Sequence, residues 1–254
     1  MRNFVVQNGY ILNIDILGFG TFVKNNSAQT VFDHYAGLIT GADFAGAIVD
    51  DGNIEVMVYS DTIAIKSNAA NEDNGFVDLV RIANILQTGQ YYRYLSLNGA
   101  FLPLRGTIAY GEFFFHKGDI WTQAHGRQKT YAKNVAMIIG KPIVESYETE
   151  KEMELMCVAL TKSTLEMVNE GFISAMLDSN LLLEYQIPLK NGNSNPGVIV
   201  NPVSTPHFEI NLRQLKLEST KYAEGSSTQR KYLNTIKLFE HVQGSRRFYP
   251  KKPE

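Results

Sequence analysis

Residues 10 to 17, "YILNIDIL", are nearly all apolar and are bounded by Gly18 and Gly20, a pattern that predicts a buried central strand. Val31, Phe32, Tyr35 and Leu38 recur at helical spacing and predict a helix from Ser27 to about Thr40, broken by "TGADFAG". Ile54 to Ser67 reads as two short strands meeting near "YSD", a hairpin with Ser60 and Asp61 at or beside its tip. After a polar loop at Asn71 to Asn74, the phase of Phe76, Leu79, Val80, Ala83 and Leu86 predicts a long helix from Gly75 to about Leu97.

"LPLRGTIAYGEFFF" is strand-like, whereas residues 116 to 134 are mixed and polar and read as a loop. "VAMIIG" predicts a further strand, with a helix from Lys141 to about Met153 after it. "MCVALT", "FISAML", "LLLEYQIPL" and "VIVNPV" read as strands, and "KNGNSNPG" as a turn. A last amphipathic helix runs from Ser226 or Ser227 to about Val242, and the basic tail "SRRFYPKKPE" is expected to fray. No internal repeat, heptad seam or interdomain linker interrupts this order. Interleaved strands and helices predict one α+β domain over residues 1 to 254.

Composition narrows the function classes. Apolar content of 44% and charged content of 20% are ordinary for a soluble globular chain. A formal charge of −2 supplies no global field toward nucleic acid or anionic lipid, so neither is an expected partner. The single cysteine, Cys157, excludes an intrachain disulfide framework and a Cys-rich zinc site, and reads as a small apolar residue. No apolar run reaches the roughly 18 to 20 residues that span a bilayer. With no signal-peptide pattern at the N-terminus, the expected location is cytoplasmic.

Asp15 is an acid inside an apolar strand, and an ionised carboxylate is costly to bury without a partner or a metal. Asp61 stands at a predicted hairpin tip. If the two strands are neighbours, both carboxylates converge on one sheet edge, where paired oxygen ligands suit Mg²⁺ or Mn²⁺. The plain alternative is that each acid caps a turn or a helix N-terminus.

The segments around these acids resemble the class III nucleotidyl cyclases. That family carries a strand ending Asp-Ile-x-Gly-Phe, and "NIDILGFG" supplies Asp15, Ile16, Gly18 and Phe19. Its second metal Asp follows a glycine in a hairpin; "YSDTIAI" supplies Asp61, with Ser60 in the glycine's place. "RGTIAYG" matches Arg-x-Gly-Ile-x-x-Gly through Arg105, Ile108 and Gly111, and "MIIGKPIVESYETE" matches the later strand, glycine and helix. The matches cover residues 10 to 150. They imply a ferredoxin-like, palm-type sheet and a head-to-tail homodimer with its active site where the subunits meet.

The departures from the family pattern concern the base. Adenylate cyclases of this class hold adenine with a Lys and an Asp at the positions of Met57 and Met137, neither of which offers a normal hydrogen bond to a purine edge. The following helix carries Val144 and Glu148 where the family has a ribose-orienting Asn and a transition-state Arg. This combination is similar to the pyrimidine cyclases of bacterial Pycsar anti-phage systems, homodimers that make cyclic UMP or cyclic CMP for a separately encoded effector. The other reading is a degenerate cyclase fold that senses nucleotide or serves dimerisation alone.

The resemblance implies attack of a ribose 3′-hydroxyl on the α-phosphate of UTP or CTP, with pyrophosphate leaving. Asp15 and Asp61, with the Ile16 carbonyl, would hold two Mg²⁺ or Mn²⁺ ions. Gly18, Phe19 and Gly20 either present amides to the phosphates or form a tight turn without ligand. Arg105 contacts phosphate or pairs with an acid across the sheet. Arg127 and Lys129, on the predicted loop, close over the triphosphate or are merely solvated. Tyr59 meets the base or packs against the partner subunit. The five histidines show no metal-ligand spacing, and Glu148 and Glu150 are read as members of a charged helix face.

Overall fold

A computed structural model describes residues 6–50, 54–69, 72–97, 103–124, 127–203 and 208–244. Its centre is strand β1 (Val6–Ile16), longer at its start than the apolar run alone indicates. Helices α1 (Phe19–Asn25) and α2 (Ala28–Asp50) lead to the hairpin of β2 (Ile54–Tyr59) and β3 (Thr62–Ser67), and helix α3 (Glu72–Leu97) follows. Strands β4 (Leu104–Ala124) and β5 (Arg127–Gly140) precede helix α4 (Lys141–Glu152) and the short strand β6 (Val158–Leu160). Next come α5 (Lys162–Met167), α6 (Glu170–Asp178), β7 (Leu182–Pro188), β8 (Ser194–Val200), α7 (Phe208–Ser219) and α8 (Ser227–Gly244).

Among the described residues, eight strands join one sheet in the order β2-β3-β1-β4-β6-β8-β7, with β5 also paired to β4. The pairings are antiparallel except β4 with β6, so the expected α+β class and mostly antiparallel sheet are found.

Alternation along β1 divides the sheet into two unlike faces. Tyr10, Leu12, Ile14 and Ile16 are buried with Ile63, Ile65 and Ile108 against Phe76, Leu79, Val80 and Ala83 of α3. The opposite face of β1 carries Ile11, Asn13 and Asp15. Residues in register share a face, and Asn13 lies opposite Thr107, Thr107 opposite Ala159, and Ala159 opposite Ile199. Ala159 and Ile199 belong to a second core with Leu215 of α7 and Tyr232, Ile236 and Phe239 of α8. Helices α4 and α8 therefore both lie on the Asp15 face; α4 is pinned there by a 2.7 Å hydrogen bond between Thr107 Oγ1 and Ser146 Oγ. Cys157, fully buried in the second core, fills the small apolar role expected of it.

Gly106 is required by close approach. A Cβ at this position would overlap the backbone carbonyl oxygen of Asn13, so only glycine lets β4 lie this near β1.

Several segments differ from the pattern-based reading. Helix α2 runs through "TGADFAG", because glycine weakens a helix by only about 1 kcal/mol and an alanine follows each of the two glycines. The polar 72–74 stretch opens α3, where Glu72 and Asp73 suit the positive helix end. "FISAML" is helical, within α6, whose Asn169 cap accepts a 2.8 Å bond from the Gly171 amide; short apolar runs do not by themselves separate strand from helix. Helices α5 and α7 were not anticipated, and β8 begins within the predicted turn, at Ser194.

The largest correction concerns residues 116 to 134. Their described part is the outer half of a long β4–β5 ladder, with Thr122 opposite Lys129 and Ala124 opposite Arg127. Arg127 and Lys129 thus stand on a strand and not on a loop. Ile120, Trp121, Thr122, Thr130 and Tyr131 favour strand, a signal diluted by the charges between them. The side chains of Arg127 and Lys129, and the 245–254 tail, lie outside the described residues.

Candidate active site

The sheet brings Asp15 and Asp61 to the same end. β1 and β3 are neighbours with Asp15 opposite Thr62, and the Ile16 amide donates to the Asp61 carbonyl oxygen at 2.9 Å. Between β2 and β3 only Ser60 and Asp61 intervene, and Ser60 turns the chain with φ of 54°. That left-handed conformation is the one glycine adopts without steric penalty, which accounts for a glycine at this place in the cyclase motif.

Arg105, on the other side of Asp15, pairs with the acid across the sheet. Its Nε and Nη2 donate to Oδ2 of Asp15 at 3.0 and 2.9 Å, and its Nη1 donates to the backbone oxygen of Glu150 at 3.0 Å. Both bonds to Asp15 fall on Oδ2, so neither occupies Oδ1. Burial raises the Asp15 pKa; Arg105 opposes that shift, and the negative charge of Asp61 adds to it.

Asp15 and Asp61, whose negative charge disfavours ionisation of Asp15, form an all-oxygen donor set with the carbonyl of Ile16. Such a set fits a hard divalent cation, which would relieve the repulsion and use the Asp15 oxygen that Arg105 leaves. Among the described residues, no group of three or more His, Cys, Asp or Glu side chains is gathered for a metal, so the candidate set is limited to Asp15, Asp61 and the Ile16 carbonyl.

A polar chain backs this pair. Asn13, two residues before Asp15 and on its face, donates from Nδ2 to Oε1 of Glu150 at 3.1 Å and accepts from the Tyr59 hydroxyl at 3.3 Å. Glu150 is not on a solvated charged face: it is 6% exposed, and burial pushes its carboxyl up to about 7, with the charges of Asp15 and Asp61 adding to the shift. Ile143, Ser146 and Glu150 fall at spacings of three and four, one helix stripe facing the sheet, and that spacing was the available signal. Tyr59, 39% exposed, is tied to Asn13 through its hydroxyl.

The Leu17–Gly18 turn leaves β1 beside Pro103, whose carbonyl accepts from the Leu17 amide at 2.9 Å. Gly18 has φ of 78° and stands at the N-terminus of α1 with Phe19 and Gly20 next in the chain; a Cβ at Gly18 or Gly20 would meet nothing within 4 Å. Lys231 of α8, which sequence patterning had not singled out, lines a small cleft with Leu17, Gly18 and Pro103. At the positions assigned to purine reading, Met57 is buried on β2 and Met137 lies opposite His116 on β5. On α4, Val144 and Glu148 are exposed.

No protein-family model and no curated protein sequence matches the chain. Solved structures do match. One is the catalytic core of a rhodopsin-guanylyl cyclase with converted specificity in complex with ATPαS, at 10% identity and TM-score 0.52, covering 79% of this chain and 99% of the other. A bacterial light-regulated adenylyl cyclase aligns at 10% identity and TM-score 0.51, covering 83% and 98%. A dimeric guanylyl cyclase domain of the RhoGC fusion protein from the aquatic fungus Blastocladiella emersonii aligns at 10% identity and TM-score 0.50, covering 77% and 97%. The chain has a class III cyclase-like fold. Among the described residues, no helix is long and apolar enough to cross a membrane.

Proposed function

We propose that this chain is a nucleotidyl cyclase that converts a pyrimidine triphosphate, UTP or CTP, to the 3′,5′-cyclic monophosphate and pyrophosphate. The observation that carries the reading is the placement of Asp15 and Asp61 at one sheet end, beside Arg105, on a cyclase-like fold. Asp15, Asp61 and the Ile16 carbonyl would hold two Mg²⁺ or Mn²⁺ ions, which acidify the attacking hydroxyl and neutralise the triphosphate.

The ribose 3′-oxygen forms a bond to the α-phosphorus, the bond to the bridging α–β oxygen breaks, and pyrophosphate leaves with the hydroxyl proton released. Arg105 fixes Asp15 in one rotamer and partly offsets its burial, so the carboxyl group is aimed before substrate arrives. Asn13 and Glu150 hold the next layer, the guanidinium being anchored through the Glu150 backbone oxygen. Gly18, Phe19 and Gly20 turn toward the phosphates, and Arg127 and Lys129 come from the β4–β5 ladder, with Tyr59 available to the base.

Met57 and Met137 support a pyrimidine substrate, because a thioether gives a purine edge no normal donor or acceptor. On this reading the active enzyme is a cytoplasmic homodimer in the manner of the Pycsar cyclases, whose product signals phage infection to a cyclic-nucleotide-responsive effector. The Asp15–Arg105 pair, with Val144 and Glu148 in place of Asn and Arg, favours a second reading, a nucleotide-sensing or dimerisation module without catalysis. Incubation of purified protein with UTP or CTP and Mn²⁺ distinguishes the two. The cyclase reading expects cyclic product from wild type and none from Asp15→Asn, with dimer and fold retained; undiminished turnover by the variant ends the metal assignment, and silence from wild type favours the module.

A further inference from the structure

Lys231 is a half-buried cation for which the described residues provide no ion pair. Of the two acids whose charge acts on it, Asp15 is paired with Arg105, and Glu154 is taken by Arg230, which donates Nε and Nη2 to it in three bonds of 2.7 to 3.0 Å, with a fourth from Ser227 at 3.4 Å. Burial and the positive charges of Arg105 and Lys190 lower the Lys231 pKa to about 8, and the negative charges of Asp15 and Glu154 offset this only in part. A fold seldom retains an uncompensated, partly desolvated ammonium without a use for it.

Its position indicates the use. Lys231 lines a cleft whose other walls include the Leu17–Gly18 turn, Pro103 and Thr228 and Tyr232 of its own helix. The register places α8 on the sheet face that carries Asp15 and Arg105. Arg105 and Lys190 are both near enough to act on Lys231, and of these three cations only Arg105 is ion-paired with Asp15 in the described structure. Such a place is electrostatically incomplete until a polyanion enters it.

We propose that Lys231 binds the β- and γ-phosphates of the nucleotide, so that helix α8, C-terminal to the last strand of the sheet, forms one wall of the substrate site. This rests on the polyphosphate-substrate reading above and adds to it a residue from the part of the chain that carries no recognisable motif. The ammonium would donate charge-assisted hydrogen bonds to terminal phosphate oxygens.

Titration calorimetry of the full chain with magnesium tripolyphosphate tests the assignment without requiring turnover. Lys231→Ala should weaken binding at least about tenfold, the loss of one charge-assisted contact. Lys231→Arg should restore most of it, and Lys237→Ala, an exposed lysine on the same helix, should bind as wild type. Thermal melting of the apo protein should be unchanged or higher in Lys231→Ala, since no described ion pair is lost. Wild-type affinity in Lys231→Ala, or no tripolyphosphate binding by wild-type protein, overturns the proposal. Its failure is separable from that of the cyclase reading. Lys231-dependent tripolyphosphate binding without any cyclic product sinks the catalytic reading alone. Cyclic product formed by Lys231→Ala at unchanged KM sinks the Lys231 assignment alone.

Discussion

Glu150→Gln should stabilise the protein above neutral pH and fail to do so in acid. In the folded chain the buried Glu150 carboxyl keeps its proton to about pH 7, against an ordinary value of 4.5. Between those values the folded state binds a proton that the unfolded state has lost, so rising pH favours unfolding. At about 1.36 kcal/mol per pH unit, the cumulative loss by about pH 8 is of the order of 3 kcal/mol. Glutamine cannot ionise, and its Oε1 still accepts from Asn13. Its amide group needs a partner of its own, at a cost of about 1 kcal/mol, leaving a net gain of about 2 kcal/mol near pH 8 and a small loss near pH 5. Urea unfolding of wild type and variant at both pH values, in chelator to keep divalent ions from the neighbouring acids, measures the difference. Equal destabilisation at both pH values would refute the burial argument, because it would mean that Glu150 is ionised throughout or unfolds with the site.

Three further outcomes follow from single side chains. Ser60→Gly removes a left-handed serine from the β2–β3 turn and should raise stability by about 0.5–1 kcal/mol, read by chemical denaturation; a loss would show that the serine's own bonds outweigh its strain. Arg105→Met deletes both bonds to Asp15 and the one to the Glu150 backbone, and should cost about 2–4 kcal/mol at neutral pH, less once acid has protonated Asp15. A cost independent of pH would show that packing, and not the ion pair, is what Arg105 contributes. Gly18→Ala should lose about 1 kcal/mol from its positive φ alone, since nothing crowds a Cβ there; a loss of several kcal/mol in denaturation would contradict the open-space reading.

Where a residue's meaning is carried by local pattern, the sequence was readable. The apolar run ending at Gly18 gave β1, the "YSD" reversal gave the β2–β3 hairpin, and the adjacency of those strands placed both acids at one sheet end. Where charges interrupt a strand, as in the β4–β5 ladder, composition masked the ladder, because its stability comes from cross-strand pairing that no single segment displays. Glu150 was misread for a related reason. Its neighbours Glu148 and Lys151 are exposed and advertise a solvated face, while its own burial depends on α4 crossing Asn13, a contact 137 positions away in the chain. Lys231 carries no motif at all. Its significance comes from Arg230 occupying Glu154 and from α8 lying on the Asp15 face, both of which are facts of tertiary packing.

On the proposed reading, a metal-dependent cyclase apparatus survives here with its purine-reading positions replaced. The most direct measurement offers the purified protein an equimolar mixture of ATP, GTP, UTP and CTP with Mn²⁺ and resolves the products by chromatography and mass. Cyclic UMP or cyclic CMP should dominate, and Asp15→Asn and Asp61→Asn should each abolish it. Cyclic AMP or cyclic GMP as the main product would contradict the reading of Met57 and Met137, and the absence of any cyclic product would contradict the cyclase assignment itself.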